Sequence, residues 1–137
     1  MTAIGLVRIL FLVAALYDGL LGAVFLIAPY WPFAVFHVPE PNHPAYVQFP
    51  AALLLTFVLM FVAIARDPVG SRRLIPYGVL LKVSYCGLAF GYWATRDIPG
   101  MWKGFAVADL AMGVLFVWAY LATGPAAQVG RPNFWAK

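Results

Sequence analysis

Residues 74–93 read LIPYGVLLKVSYCGLAFGYW, an apolar run that carries one charged side chain, Lys82, near its middle. A helix of about 20 apolar residues is long enough to cross the hydrocarbon core of a bilayer. A lysine at the centre of such a helix costs about 2.5–3.5 kcal/mol on insertion scales, so it is normally paired. The stretch therefore predicts a membrane-spanning helix and an acidic partner for Lys82 elsewhere in the chain.

The composition of the whole chain agrees with a membrane protein. The 137 residues are 64% hydrophobic and 10% charged, and the mean hydropathy is +0.88. A soluble domain usually has about 25% charged residues, so this chain has too little polar surface for one. The net charge of +4 comes from few residues that form no basic patch, which argues against nucleic-acid binding. The single cysteine, Cys86, allows neither an internal disulfide nor a CxxC metal site.

Hydropathy predicts the fold class directly. An all-α, integral membrane four-helix bundle is expected, forming a single transmembrane domain over residues 1–137. Its predicted helices are residues 4–27, 45–65, 74–93 and 102–121.

Two further segments lie outside these predicted helices. Residues 29–44 contain five prolines, which exclude a long regular helix, and several aromatic rings of the kind that settle at a membrane interface. We expect this outer loop to lie on the membrane surface or to fold over the bundle. Residues 122–137 are predicted to be an irregular cytoplasmic tail.

The distribution of lysine and arginine predicts the orientation. With four spans, the N-terminus, the connection after the second span and the tail lie on one side. That side has the larger number of cations, and the positive-inside rule therefore places both termini in the cytoplasm. Because no targeting signal is evident, the default location is the cell inner membrane, as a multi-pass protein. The cations are Arg66, Arg72, Arg73, Arg131 and Lys137 on the predicted inner side, together with Arg8, which can snorkel to it, and Arg96 and Lys103 on the outer side.

Three charged residues of the predicted helices lie at similar depths. At a rise of about 1.5 Å per residue, Asp18 lies about 14 Å below the outer face, Asp109 about 10 Å and Lys82 about 16 Å. A lysine stem can cover this difference. We therefore expect Lys82 to pair with Asp18, Asp109 or both.

The role of this cluster has three open interpretations. An intramembrane ion pair can fix helix register without any other function, it can form a ligand or proton site, or it can pair with another subunit. If it is a site, polar tips toward the outer surface would line a cavity that opens outward or into the outer leaflet, covered by residues 29–44. The expected lining residues are Gln48, Tyr85, Tyr92 and Trp93.

A weaker metal-site hypothesis concerns His37, Glu40 and His43, spaced H-x-x-E-x-x-H, because imidazole and carboxylate groups bind zinc or copper. The spacing differs from the helical HExxH motif, and prolines interrupt the segment, so polar interface residues are the alternative. The sequence has no Ser-His-Asp pattern, P-loop or dinucleotide fingerprint, identifies no catalytic residue and indicates no particular cofactor.

The first predicted helix contains RILFLVAALYDGLLG, with an arginine early and glycines toward its end. Together with four short spans, this resembles the DoxX-like group of small bacterial membrane proteins. The resemblance implies the four-helix architecture. Some members of that group are associated with membrane redox systems, but no functional residue of this chain matches a motif of the group.

These observations lead to two alternative functions. The first is a non-enzymatic accessory subunit of a membrane assembly, or a binder of a lipophilic partner or lipid, organised around Asp18, Lys82 and Asp109. The alternative is a membrane-embedded enzyme or proton-coupled transporter that uses the same cluster. The expected partners are membrane lipid and either further copies of the chain or other membrane subunits.

Overall fold

The structure is a computed structural model that describes residues 1–125 and Val129. Within this part of the chain the secondary structure is helical, with no strand. The predicted tail at 122–137 lies largely outside the described residues. The α-helices are α1 (Ala3–Ile27), α2 (Trp31–Val35), α3 (Ala45–Arg66), α4 (Ile75–Thr95) and α5 (Gly100–Ala122), and a 3-10 turn, Arg72–Leu74, precedes α4.

Four of these helices, α1, α3, α4 and α5, are long and apolar enough to cross a membrane. This confirms the all-helical class and the four candidate spans. Their outer surfaces agree with a lipid environment, since Leu16, Leu59 and Leu88 are 64–72% exposed. An apolar surface of this extent is rare on a soluble monomer.

The bundle consists of two antiparallel hairpins, α1 with α3 and α4 with α5. In the first, α1 and α3 approach closely at Gly22. A Cβ atom there would lie 3.0 Å from Leu55 Cδ2 and 3.1 Å from the Ala51 carbonyl oxygen. In the second, a Cβ atom on Gly78 would lie 3.3 Å from the ring of Phe116. Glycine at these positions allows the helices to pack with little separation.

The antiparallel arrangement gives the bundle two distinct ends. The start of α1, the end of α3, the start of α4 and the end of α5 meet at one end, which we call the arginine end because Arg8, Arg66 and Arg72 lie there. The opposite end, which has the connection from α1 to α3, is called the loop end.

Two arginines hold helix ends together at the arginine end. Arg8 Nε donates to the Ala65 carbonyl oxygen at 3.0 Å, and its Nη2 donates to the Arg66 carbonyl oxygen at 3.4 Å. Arg72 Nε donates to the Tyr120 carbonyl oxygen at 3.1 Å, and the guanidinium lies 3.6 Å from the centroid of that ring. The last carbonyls of α3 and α5, which have no partner within their own helix, thereby gain cationic donors.

An aromatic core fills the half of the bundle nearest the arginine end. Phe11 stacks on Phe116 with ring centroids 4.6 Å apart, and Phe61 meets Phe116 in a T-shaped contact at 5.3 Å. All three side chains are fully buried. Because they come from α1, α3 and α5, this cluster joins the two hairpins.

The connection at the loop end folds over the bundle, one of the two placements expected from the sequence. Its short helix α2 buries Phe33, whose ring lies 6.1 Å from both Phe25 and Trp102. Close by, Lys103 forms an ion pair with Asp97 in the turn between α4 and α5. The Lys103 hydrogen bond, aided by the Ile98 amide, holds the pKa of the Asp97 carboxyl below its usual value.

Candidate functional site

Lys82 binds both aspartates of the membrane-spanning helices at once. Its Nζ donates to Asp18 Oδ1 at 2.9 Å and Oδ2 at 2.8 Å, and to Asp109 Oδ1 at 2.9 Å. An ammonium group has three N–H donors, so Lys82 uses all of them here. This Asp18–Lys82–Asp109 cluster connects α1 with α4 and α5, and it therefore joins the two hairpins at mid-depth.

The three members of the cluster are not equally buried. The side chains of Lys82 and Asp18 are each 1% exposed, whereas that of Asp109 is 12% exposed. The charges are also unequal, because one ammonium faces two carboxylates and leaves one negative charge over when both are ionised. Charges in a low-dielectric interior are costly unless compensated, and Lys82 is the compensating charge that the described residues supply.

Gly113 and Tyr17 lie beside the cluster. A Cβ atom on Gly113 would lie 3.3 Å from Lys82 Cβ, so glycine allows α5 to approach the lysine stem. Lys82 Nζ lies 5.7 Å from the ring centroid of Tyr17, within the range of a cation–π contact. The hydroxyl of Tyr17 is buried and has no hydrogen-bond partner among the described residues. It is therefore a polar atom available to a bound water or ligand.

A cavity of about 450 Å³ lies between the two hairpins, in the half of the bundle nearest the loop end. This volume falls within the range of about 300–1,000 Å³ typical of small-molecule sites. The hydroxyl of Tyr85 donates to the Trp102 carbonyl oxygen at 2.8 Å and so fixes one part of the wall. The lining residues are Leu21, Gly22, Phe25, Tyr46, Val47, Pro50, Ala51, Leu54, Leu81, Tyr85, Trp102 and Phe105.

The cluster lies next to this cavity, toward the arginine end. Lys82 directly follows Leu81, and Asp18 precedes Leu21 by three residues on α1. Three or four residues make about one helical turn, or about 5.4 Å. On α1 and α5 the two aspartates are thus about one turn from the cavity, whereas Lys82 on α4 lies between two lining residues, Leu81 and Tyr85. The lining itself is apolar apart from its aromatic hydroxyl and indole groups.

A second, smaller cavity of about 180 Å³ is a groove between α4 and α5. Lys82 and Asp109 lie in it, so this groove reaches the cluster directly. Its other walls are aliphatic side chains, Gly113 and Cys86, whose Sγ donates to the Ala106 carbonyl oxygen at 3.4 Å. The lining residues are Val79, Lys82, Val83, Cys86, Asp109, Leu110, Gly113, Val114 and Val117.

Of the four residues expected to line an outward cavity, Tyr85 lines the 450 Å³ cavity. Gln48 instead donates from Nε2 to the Leu26 carbonyl oxygen at 3.0 Å and caps the end of α1. Tyr92 and Trp93 are exposed by 51% and 41%, and the ring of Trp93 lies 5.0 Å from Lys103 Nζ of α5. One helical face of α4 therefore divides into a buried part near Lys82 and an exposed part at the loop end.

The residues of the metal-site hypothesis are not brought together. Within the described residues, no group of three or more His, Cys, Asp or Glu side chains is placed to hold a metal ion. The Nδ1 atom of His43 accepts from the Ala45 amide at 3.1 Å, at the start of α3. His37 has a positive φ of 54° in the turn after α2.

Sequence reasoning did not single out Tyr17 or the apolar lining of the larger cavity. Tyr17 had a usable signal, since a phenol adjacent to Asp18 in the middle of a span needs a polar partner. Residues such as Leu21, Val47 and Leu54 had no such signal, because the sequence does not distinguish an apolar side chain that lines a cavity from one that contacts lipid.

A comparison with protein-family models, with curated proteins and with solved structures finds no match in any of the three.

Proposed function

We propose that this protein binds a lipophilic molecule, such as a lipid acyl chain or an isoprenoid tail, in the 450 Å³ cavity between its hairpins. The observation that carries this proposal is the cavity itself, which is large enough for a ligand and has almost wholly apolar walls. Apolar walls with few polar groups are typical of sites for hydrophobic ligands.

The position of the cavity supports entry from the lipid layer. Two of its lining residues, Tyr46 and Pro50, are exposed on α3, so the cavity reaches the outer surface of the bundle there. Helices α3 and α4 have few contacts with each other, which leaves room between the hairpins on that side. A lipophilic molecule would enter without crossing water, and its polar head would lie near the hydroxyl of Tyr46.

In this proposal the charged cluster has a supporting role. The bonds from Lys82 to Asp18 and Asp109 hold α1, α4 and α5 together beside the cavity. The aromatic core formed by Phe11, Phe61 and Phe116 does the same nearer the arginine end. With the hairpins fixed at these two levels, the space between them toward the loop end persists without being filled by side chains.

The test is to fill the cavity and measure the bound molecule. Leu54 lines the cavity, whereas its neighbour Leu53 is 48% exposed and does not. Leu54→Trp and the matched control Leu53→Trp are purified in mild detergent, and co-purified lipophilic molecules are counted by native mass spectrometry. We expect Leu54→Trp to lose the bound molecule and Leu53→Trp to retain it. Equal occupancy in both variants, or no bound molecule in the wild type, would refute the proposal.

We further propose that the arginine end faces the cytoplasm and that the protein resides in the inner membrane of a bacterial cell. Support comes from the cations there, Arg66, Arg72 and Arg73, against Arg96 and Lys103 at the loop end. A reporter enzyme active only in the cytoplasm, fused to the C-terminus, should be active. Activity of a periplasm-specific reporter at the same position would reverse the topology.

A second candidate, an accessory subunit, is favoured by an unoccupied small-residue surface. Cβ atoms on Gly87 and Gly91 of α4 would meet nothing within 4 Å, so a helix of another chain can approach there. The DoxX-like resemblance, with its link to membrane redox systems, is consistent with this role. Native mass spectrometry distinguishes the outcomes, since other subunits, further copies of this chain or a lone chain differ in mass.

A further inference from the structure

We propose that the arginine end of α3 and α4 is a binding surface for anionic phospholipids, in which Arg66 and Arg73 contact the lipid phosphates. This surface lies away from the proposed cavity for lipophilic molecules, which is in the half of the bundle nearest the loop end, and neither arginine lines that cavity. The proposal therefore depends neither on that function nor on which side of the membrane the arginine end faces.

The two ends of the bundle differ in charge. With the histidines left aside, the described side chains comprise four arginines and one acid at the arginine end, and two cations and two acids at the loop end. The acid at the arginine end, Asp67, accepts from the Gly70 amide at 3.0 Å in the turn after α3. Clusters of basic side chains at the edge of a bilayer attract anionic headgroups, so the arginine end should attract them more strongly. The charged residues are Arg8, Arg66, Asp67, Arg72 and Arg73 at the arginine end, and Glu40, Arg96, Asp97 and Lys103 at the loop end.

Two of the four arginines have side chains available for a ligand. Arg8 and Arg72 donate to carbonyl oxygens at the ends of α3 and α5, and so hold helix ends together. Arg66 and Arg73 are exposed, and within the part of the chain that the structure describes neither side chain forms an ion pair or a hydrogen bond. A guanidinium group can bind a phosphate through two parallel hydrogen bonds, and the donors of both side chains are available for this contact.

Each of these two arginines lies at the end of a lipid-facing stripe of side chains. The exposed positions before Arg66 on α3, and those after Arg73 into α4, are spaced by three and four residues, as on one face of a helix. Within the stripes Leu59 is 72% exposed, and Tyr77 and Leu80 are each 58% exposed. A phospholipid that packs along either stripe places its chain on these side chains and its phosphate near the arginine. The stripes are Ala52, Thr56, Leu59, Ala63 and Arg66 on α3, and Arg73, Tyr77, Leu80 and Ser84 along α4.

The two hydroxyl groups in these stripes do not interrupt the apolar surface. Thr56 Oγ1 donates to the Ala52 carbonyl oxygen at 3.3 Å, and Ser84 Oγ donates to the Leu80 carbonyl oxygen at 2.7 Å. Because each hydroxyl group bonds within its own helix, neither needs a polar partner in the lipid. Each stripe therefore offers a phospholipid an apolar path that ends at a cation.

An anionic phospholipid fits this surface better than other sources of phosphate. A phosphatidylcholine headgroup has an ammonium group beside its phosphate, and the surrounding arginines repel that group. An inorganic phosphate ion has no chain to pack on the stripes, and salt screens its attraction to exposed charges. A lipid with a net negative headgroup uses both the cations and the apolar stripes.

The experiment measures the affinity of the protein, purified in mild detergent, for phosphatidylglycerol and for phosphatidylcholine with the same acyl chains, by native mass spectrometry. Arg66→Gln and Arg73→Gln each remove one cation from the arginine end. Arg96→Gln is the matched control, because Arg96 is an exposed arginine at the loop end that likewise forms no ion pair with a described residue. Inorganic phosphate serves as a competitor that has the charge of the headgroup but no chain.

The wild type should bind phosphatidylglycerol more tightly than phosphatidylcholine by at least about fivefold. Arg66→Gln and Arg73→Gln should each lower the phosphatidylglycerol affinity about fivefold, the equivalent of about 1 kcal/mol for one cation, with little effect on phosphatidylcholine. Arg96→Gln should leave both affinities unchanged, and inorganic phosphate should displace little of the lipid. The proposal would be overturned by equal binding of the two lipids, by an unchanged affinity in Arg66→Gln or in Arg73→Gln, by an equal loss in Arg96→Gln, or by full displacement with inorganic phosphate.

Discussion

Replacing Lys82 by methionine is the most informative test of the charged cluster. Methionine keeps an unbranched side chain of similar length but removes the ammonium group. The variant leaves Asp18 and Asp109 facing each other in the interior of the bundle without a counter-charge. We expect a large loss of stability, although only one side chain changes.

The size of the loss follows from the contacts of Lys82. Three hydrogen bonds disappear, and at about 0.6 kcal/mol for an average hydrogen bond between membrane helices they contribute about 2 kcal/mol together. The stranded carboxylates matter more, because breaking a buried ion pair from one side costs about 3–5 kcal/mol. Because no positive charge then remains beside the two buried carboxyl groups, the larger range should apply.

The free energy of unfolding can be measured by titrating dodecyl maltoside micelles with sodium dodecyl sulfate and following tryptophan fluorescence. The control is the variant that combines Lys82→Met with Asp18→Asn and Asp109→Asn. It removes all three charges, so it should be more stable than Lys82→Met alone. Asp109→Asn by itself should cost less than Asp18→Asn, because Asp109 accepts one hydrogen bond and Asp18 accepts two.

A loss below about 1 kcal/mol for Lys82→Met would refute the reasoning, since it would mean that the carboxylates do not depend on the ammonium group. A triple variant no more stable than Lys82→Met would also contradict it. In that case the loss would come from the packing of the lysine stem and not from its charge.

Three further outcomes are expected. Arg8→Gln should lower the free energy of unfolding by about 1–3 kcal/mol, measured in the same titration, because its two hydrogen bonds to carbonyls at the end of α3 are lost. Gly22→Ala should destabilise the protein by about 1–3 kcal/mol, because the added methyl group meets α3 at 3.0–3.1 Å, whereas Gly87→Ala, with open space around it, should be close to neutral. Since the folded protein lowers the pKa of Asp97 through Lys103, the stability from this exposed pair is present above the usual aspartate pKa and is lost as the pH falls through the lowered value. Asp97→Asn should remove that acid dependence, as measured by thermal unfolding at a series of pH values, and an unchanged pH profile would contradict this explanation.

Several features of this protein follow from the sequence because they depend only on which residues occur in each stretch of the chain. Length and hydropathy determine the four spans, and the helices α1, α3, α4 and α5 overlap the predicted segments within a few residues. Depth along a span follows from the helical rise. This places Asp18, Lys82 and Asp109 at similar levels, and the cost of an unpaired charge in lipid then predicts their contact.

Whether a given side chain of a spanning helix points toward lipid, a cavity or another helix cannot be read from the sequence in the same way. A membrane helix is apolar all round, so it lacks the polar stripe that marks the exposed face of a helix in a soluble protein. For this reason the sequence did not indicate that Tyr92 and Trp93 would be exposed while Tyr85 lines the cavity. Gln48 was placed near the right end of the bundle, but its bond to the Leu26 carbonyl oxygen depends on how α1 ends against α3.

The sequence by itself therefore determined the class of the protein, its spans and the identity of its three mid-membrane charges, because each depends on local composition and on the energetic cost of charge in lipid. Only the tertiary structure decided that Lys82 binds both aspartates, that it bonds both oxygens of Asp18 but Oδ1 of Asp109, and that the hairpins leave an apolar cavity between them. These features depend on the separation and rotation of packed helices, which are set by close contacts such as those at Gly22 and Gly113.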